Sequence, residues 1–332
     1  MMKSVLFLLL TGCSLLDVAW SLSDPQSMTS SINGLGQQQQ QQQQQDGYPP
    51  PPSSSLSSIV RPADPPSDLQ LPASSVLSPA HFSEVLAREG AVRCREATPS
   101  LLRKSVLAGM YVGIGGMLCS TVGGSLVPAF WEQSAGLNRF AFGAVGFPLS
   151  IILVTITGMS AFTGNLAFAG AAVTRGKVRL SDTVRMLSLT YFGCLIGCVL
   201  TGALAVAAGI PGVLPCGSVS SHKLALDTTK ILARGIGGGT LIGLAIVLAT
   251  AAIKGGSGFI SVAAAIWFPI STYVILDFEH CLANMFFFAV AALSKQDISK
   301  ASIAKNLLFS TAGNMIGAGV VVGGALIGAI GS

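Results

Sequence analysis

A chain of 332 residues that is 51% hydrophobic and only 10% charged, with a mean hydropathy of +0.66, is too apolar to be a soluble globule, where roughly a quarter of residues carry charge. The net charge of +5 comes from basic residues scattered over loops rather than gathered on one face, so no nucleic-acid partner is expected. The seven cysteines show no CxxC or Cys/His spacing, which excludes a metal site and a disulfide framework; Cys119, Cys194, Cys198 and Cys281 read as small residues inside apolar segments.

In chain order, residues 1–23 carry Lys3, the apolar run Val5–Leu10 and small residues near Ala19 and Ser21, the pattern of a secretory or targeting leader. Residues 24–98 form a low-complexity tail. Gln37–Gln45, Pro49–Pro52 and a Ser/Pro-rich stretch to Pro79 cannot bury enough apolar surface to order themselves and are read as disordered. At its end, from His81 to about Arg103, comes a short amphipathic lead-in with Arg88, Arg93, Arg95, Arg103 and Lys104.

Residues 99–332 are read as an all-α integral membrane domain. Its six spanning segments are Ser105–Val127, Phe140–Val173, Thr183–Ala208, Lys230–Ile253, Phe259–Leu293 and Lys305–Ile330. A run of about 20 apolar residues crosses the hydrocarbon core as a helix. The second and fifth segments are too long for one span, and interruptions are expected at Thr157–Gly164 and near Asp277–His280. Arg175, Lys177, Arg179, Arg185 and Lys254 fall on the same side as the basic lead-in, the cytoplasmic side or its equivalent by positive-inside counting.

The segments repeat. Phe147-Pro148-Leu149-Ser150 leading to Asn165 is echoed by Phe268-Pro269-Ile270-Ser271 leading to Asn284. Lys104 and Gly109 match Lys230 and Gly235, and Gly193 and Gly197 match Gly313 and Gly317. An odd number of crossings per copy turns the second copy over, giving two inverted three-helix repeats whose broken helices meet near the midplane. Half-helix N-termini there offer N–H groups and a positive dipole to an anion.

Ionisable residues inside a membrane are costly and usually functional. His280 lies between two apolar half-helices, next to Glu279. A histidine exchanges a proton near neutral pH, and a protonated acid crosses an apolar passage far more readily than its anion. Glu279 either orients the imidazole or ties the half-helix to a neighbour. Thr163 faces the same region from the other repeat and can donate or accept a hydrogen bond. Asn165, Asn284 and Asn314 are expected to cap half-helices and bond neighbouring backbone. Phe147, Phe162 and Tyr273 are candidate apolar constrictions. Lys223 either concentrates anions at one mouth or is an ordinary loop lysine.

Phe162-Thr163-Gly164-Asn165, Trp267-Phe268-Pro269-Ile270, Phe278-Glu279-His280 with Ala283-Asn284-Met285, and Gly313-Asn314-Met315-Ile316-Gly317 together resemble the formate/nitrite transporter family from about Pro99 to Ile330. The resemblance implies an aquaporin-like fold, a homopentamer with one pore per subunit, passage of formate, nitrite, lactate or hydrosulfide, and no cofactor. It makes His280 the central pore histidine and Thr163 its partner. It puts Ala161 and Phe162 at an inner constriction, Phe147 and Tyr273 at an outer one, Lys223 in a vestibule and Asn314 on the pore side. Ala161 stands where leucine is usual, Gly239 replaces a common asparagine, Cys194 a polar residue, and Asp277 a glycine.

The expected function is proton-coupled transport of a small monovalent anion, nitrite or formate, across a bilayer. Enzymatic activity is not expected, because no nucleophile–base pair or metal cluster accompanies His280 and Glu279. Two alternatives stand beside it: a plasma-membrane lactate or formate exporter and a pH-independent neutral-solute channel. The leader followed by the acid-poor Ser27–Ser31 and Ser53–Ser58 resembles a bipartite plastid address. Algal relatives of this family carry nitrite into plastids, so the resemblance favours a plastid envelope.

Overall fold

The structure is a computed structural model that describes residues 79–124, 135–211 and 213–330. The leader and most of the low-complexity tail lie outside the described residues. Ten helices follow one another among those described: α1 (Pro79–Arg95), α2 (Thr98–Gly124), α3 (Ala135–Ile156), α4 (Phe162–Thr174), α5 (Leu180–Ala207), α6 (Val213–Leu224), α7 (Thr228–Lys254), α8 (Phe259–Ile275), α9 (Cys281–Leu293) and α10 (Lys300–Ile330). Stretches within α2, α3, α5, α7 and α10 are long and apolar enough to cross a membrane. Apolar side chains such as Leu204, Phe268 and Val320 project from the outside of the bundle, where hydrocarbon solvates them.

Helix α1 lies before residue 98, inside the range that composition gave to a disordered tail. Helix α1 buries Phe82, Leu86, Ala87, Ala91 and Cys94 along one stripe and packs on α4. Composition averages over that stripe, whereas a helix presents it on one side. Helix α6 lies between the third and fourth predicted segments, where no element was assigned: it is short and packs through the side carrying Cys216.

The second and fifth predicted segments are each two helices end to end, α3 with α4 and α8 with α9, broken at 157–161 and 276–280. Each break turns on a residue with positive φ, Gly158 at +69° and Asp277 at +57°. The chain then leaves in extended form through Ala161 and His280 before helix resumes. Left-handed backbone is easy for glycine and uncommon for aspartate.

The repeat is visible in packing. A Cβ on Gly109 would sit 2.2 Å from Cys194 O, and one on Gly197 2.1 Å from Val106 O, so α2 and α5 touch backbone to backbone. The same contact joins α7 and α10, where a Cβ on Gly317 would sit 2.2 Å from Ile236 O and one on Gly313 2.6 Å from Leu232 O. Small residues permit this approach between membrane helices. The half-helices cross over: α4 packs on α10, with Gly170 against Gly319 O, while α9 packs on α5.

Polar contacts fix the direction of each copy. Lys177 pairs with Glu84, Arg95 donates to Lys177 O, and Lys254 pairs with Glu89, so α4 and α7 both end at the face carrying α1. Lys305 near the start of α10 donates to Leu224 O and Leu226 O at the far face, beside α6. Thus α2 runs away from the α1 face and α7 runs towards it, the inverted arrangement expected from the repeat. After Asn314 the winding of α10 widens to π-helical turns over Met315–Leu326, alongside α4. Such widened turns recur next to functional sites.

Candidate permeation site

Each half-helix has 13 residues, about 20 Å at 1.5 Å per residue. The pair therefore spans a bilayer only by meeting N-terminus to N-terminus. They meet at His280 and Thr163, whose Nε2 and Oγ1 lie 3.0 Å apart. His280 is the extended residue before α9, and Thr163 is the second residue of α4. Both are buried. The N-terminal dipole ends of α4 and α9 bear on this point, and they favour negative charge there. Nε2 is held by Thr163, while Nδ1 is buried without a hydrogen-bond partner among the described residues.

A cavity lies on either side. The far-face cavity, about 340 Å3, reaches His280 past Phe147 and Tyr273 and is rimmed by Lys223, His222 and Asp277. The α1-face cavity, about 210 Å3, ends at Ala161 and is lined by Arg93, Thr155 and Asn165. The rings of Phe147 and Tyr273 lie 6.3 Å apart, and Tyr273 meets the imidazole edge-on at 5.7 Å. Phe162 stacks edge-on against Tyr191 at 5.1 Å. Phe147, Tyr273 and Ala161 therefore stand in the two cavities, and Phe162 beside Thr163 between them.

Glu279 does not touch the imidazole. Its Oε1 accepts from Lys223 Nζ at 2.6 Å, and its Oε2 accepts from Asn284 Nδ2 at 2.6 Å and Asn306 Nδ2 at 3.3 Å. Of its two sequence readings, the tie to neighbouring helices is the one built. Lys223 is accordingly a buried residue of α6 rather than a loop lysine, although it also borders the far-face cavity.

Asn165 and Asn284 do not cap their half-helices. The cap positions are Ala161 and His280, neither of which makes a side-chain cap bond. A capping side chain must precede the helix to reach its free N–H groups, and both asparagines lie a turn inside. Asn165 donates to Ser160 Oγ at 2.8 Å, and Asn284 donates to Glu279. The cap for α9 comes from α10: Asn314 Oδ1 accepts from Cys281 N at 2.9 Å, and its Nδ2 donates to Gly235 O and Glu279 O. All of these bonds go to backbone, so Asn314 holds the break.

The departures from the motif pattern have local causes. Asp277 accepts from Arg234 at 2.5 Å and lies 3.2 Å from His222, so its charge is paired at the cavity rim. A Cβ on Gly239 would lie 2.6 Å from Asn314 Cα, which leaves no room for a larger residue. Cys194 packs against Gly109 with its thiol 3.9 Å from Ser160 O. Sequence reasoning did not single out Arg234, Asn306 or Thr155, nor Arg93 as a site residue. A charge early in α7 was the available signal for Arg234; the others are joined to the site only by the fold.

Two broken helices whose second halves meet N-terminus to N-terminus at a buried His–Thr pair between opposed cavities define a membrane transport protein of the inverted-repeat class. Residues 80–328 match the formate/nitrite transporter family, and the chain belongs to it. It is 30% identical over 268 residues to a probable formate transporter of Methanothermobacter thermautotrophicus, covering 75% of this chain and 95% of that relative. It is 30% identical to the nitrite transporter NirC of Escherichia coli, covering 66% and 79%. Among solved structures it is similar to an FNT family ion channel, at a TM-score of 0.65 and 26% identity over 73% of this chain and 96% of that one. It is also similar to a pentameric formate channel with formate bound, at a TM-score of 0.57 and 25% identity over 68% and 95%. The family expected from the motifs is the one found, and its members are transporters and channels rather than enzymes.

Proposed function

We propose that this chain passes a small monovalent anion, nitrite or formate, together with a proton, through the His280–Thr163 site. The observation that carries the reading is the 3.0 Å bond between these side chains where the two half-helices meet, with a cavity on each side. A bare anion in so apolar a passage is costly, and the dipole ends of α4 and α9 offset only part of that cost. The remainder is removed by protonation. An anion in the far-face cavity approaches His280, accepts a proton from the imidazolium, which is left as neutral imidazole, or from water, and crosses Phe162 as the neutral acid. Thr163 switches its hydroxyl between donating and accepting as the imidazole changes state.

Glu279 and Lys223 serve by fixing the backbone that presents His280. The apolar outer surface of the bundle suits a homopentamer in lipid, as in the pentameric formate channel to which the chain is similar. The leader and Ser-rich tail support a plastid envelope as the membrane; a fluorescent fusion of the full chain at the plasma membrane would instead favour an exporter of formate or lactate.

The test is uptake of nitrite, formate and lactate into proteoliposomes at several external pH values, for the wild type and His280→Ala. Uptake that rises as pH falls and collapses in the variant supports the reading, and the fastest ion names the substrate. A variant that transports as well as the wild type overturns it.

A further inference from the structure

The turn that joins α4 to α5 at the α1 face borders an open pocket of about 630 Å3, which shares no lining residue with the two cavities of the passage. Arg95 from the end of α1, Lys177 and Arg179 from the turn, and Arg185 from α5 line it, against one carboxylate among the described residues, Asp182. That carboxylate is taken by Arg179 at 3.1 Å, and Lys177 shares Glu84 with Arg88. Arg95 and Arg185 have no carboxylate within ion-pair distance among the described residues and bond to neutral groups instead. Arg95 donates to Lys177 O at 3.1 Å, and Arg185 donates to Thr98 Oγ1, Cys94 O and Glu96 O, each at 2.9 Å.

These bonds hold both guanidinium groups in place without cancelling their charge. The adjoining end of α5 adds to the same field. It opens a helix of 28 residues whose cap residue, Arg179, makes no side-chain cap bond, so its first N–H groups and positive dipole end lie beside the pocket. Scattered, solvated lysines would serve as well to anchor a loop on the positive side of a membrane. Cations converging on one pocket with an uncapped helix N-terminus instead suit a phosphate group. The place of the pocket says which phosphate. It lies where the membrane span of α5 begins, and Leu180 and Val184, about one turn apart there, expose apolar side chains. A headgroup held at this level has apolar surface beside it for its acyl chains, which a free phosphate does not need.

We propose that Arg95, Lys177, Arg179 and Arg185, with the N-terminus of α5, bind the phosphate headgroup of an anionic phospholipid in the leaflet at the α1 face. Arg95 belongs to α1 and the others to the α4–α5 turn and α5, so the bound phosphate fastens α1 to the spanning body. The site is independent of the His280–Thr163 mechanism and stands or falls without it.

The experiment is native mass spectrometry of the full chain in nonionic detergent, titrated with phosphatidylglycerol or phosphatidylcholine. The proteins are the wild type, Arg95→Gln, Arg179→Gln and Lys230→Gln, the last removing an exposed lysine at the far face. The wild type should retain phosphatidylglycerol in preference to phosphatidylcholine. Arg95→Gln and Arg179→Gln should each weaken phosphatidylglycerol binding about fivefold, the worth of one basic residue near a lipid surface. Lys230→Gln should leave it unchanged. Equal retention of the two lipids overturns the proposal, as does a preference that neither pocket variant weakens or that Lys230→Gln weakens as much. Arg179 is a surface side chain, so its variant decides alone should Arg95→Gln fail to fold. Inorganic phosphate separates the two sources of the same chemistry. Phosphatidylglycerol should raise the unfolding midpoint of lipid-free protein and slow amide exchange in α1, and inorganic phosphate alone should do neither. Phosphate that reproduces both effects gives the pocket to a free anion and overturns the lipid assignment.

Discussion

Glu279 has no exposed surface, and both its oxygens are occupied by Lys223, Asn284 and Asn306. Such a pair is weak evidence of net stability, but removing one partner strands a buried charge and costs about 3–5 kcal/mol. Lys223→Met and Glu279→Gln should each lower the unfolding midpoint in detergent. The double variant Lys223→Met/Glu279→Gln should lose less than the sum of the two, and strict additivity would mean that the pair is not coupled. His280 and Thr163 were legible in the sequence because a polar residue interrupting an apolar run is conspicuous. For Glu279 the sequence left two roles open, and the fold decides between them, since adjacent residues on extended backbone point to opposite sides. Being next to His280 in the chain placed its carboxylate away from the imidazole. Gly239 follows similar logic. A methyl there meets Asn314 Cα at 2.6 Å, so Gly239→Ala should cost about 1–3 kcal/mol by overpacking and displace the cap on α9. Reduced transport alongside lowered thermal stability would show both; full activity would mean that α7 and α10 separate without disturbing the break.

At the scale of elements, the broken helices were readable because each carries the same Phe-Pro motif and asparagine and exceeds a single span. Helix α1 was visible only as an amphipathic lead-in, and its docking depends on partners distant in sequence. Lys177 and Arg88 both reach Glu84, and Arg175 donates to Ser83. The hydrogen bond from Lys177, reinforced by Arg88, holds the Glu84 carboxyl below its ordinary range. A carboxylate whose folded pKa is depressed stabilises the docked state above its unfolded value, and that contribution is lost as pH falls through the folded pKa. Amide exchange in α1 should therefore quicken as pH drops below the usual carboxylate range, once the intrinsic exchange rate is divided out. Glu84→Gln should flatten that dependence and loosen α1 at neutral pH. The partly exposed position of Glu84 keeps the effect small and salt-sensitive. An α1 whose protection ignores both pH and Glu84→Gln would show that its apolar stripe alone holds it.

For the whole molecule, two inverted copies place one cavity on each face with the His280–Thr163 pair between them, so access from either side should be separable chemically. The cysteines among the described residues are all buried, leaving little background for a membrane-impermeant thiol reagent there. Met159 borders the α1-face cavity and Val274 the far-face cavity, and both are only partly buried. In oriented vesicles Met159→Cys should be labelled and transport blocked only from the α1 face, and Val274→Cys only from the far face. An anionic, sulfonate-bearing thiol reagent tethered in either cavity takes up space there and sets a fixed negative charge beside the dipole ends of α4 and α9, so block follows from sterics and electrostatics together. If either cysteine reacts from both faces, the barrier does not lie at His280 and Thr163, and the two cavities form one open channel. Reaction confined to one face each would fix the barrier between Ala161 and Tyr273, where the two half-helices begin.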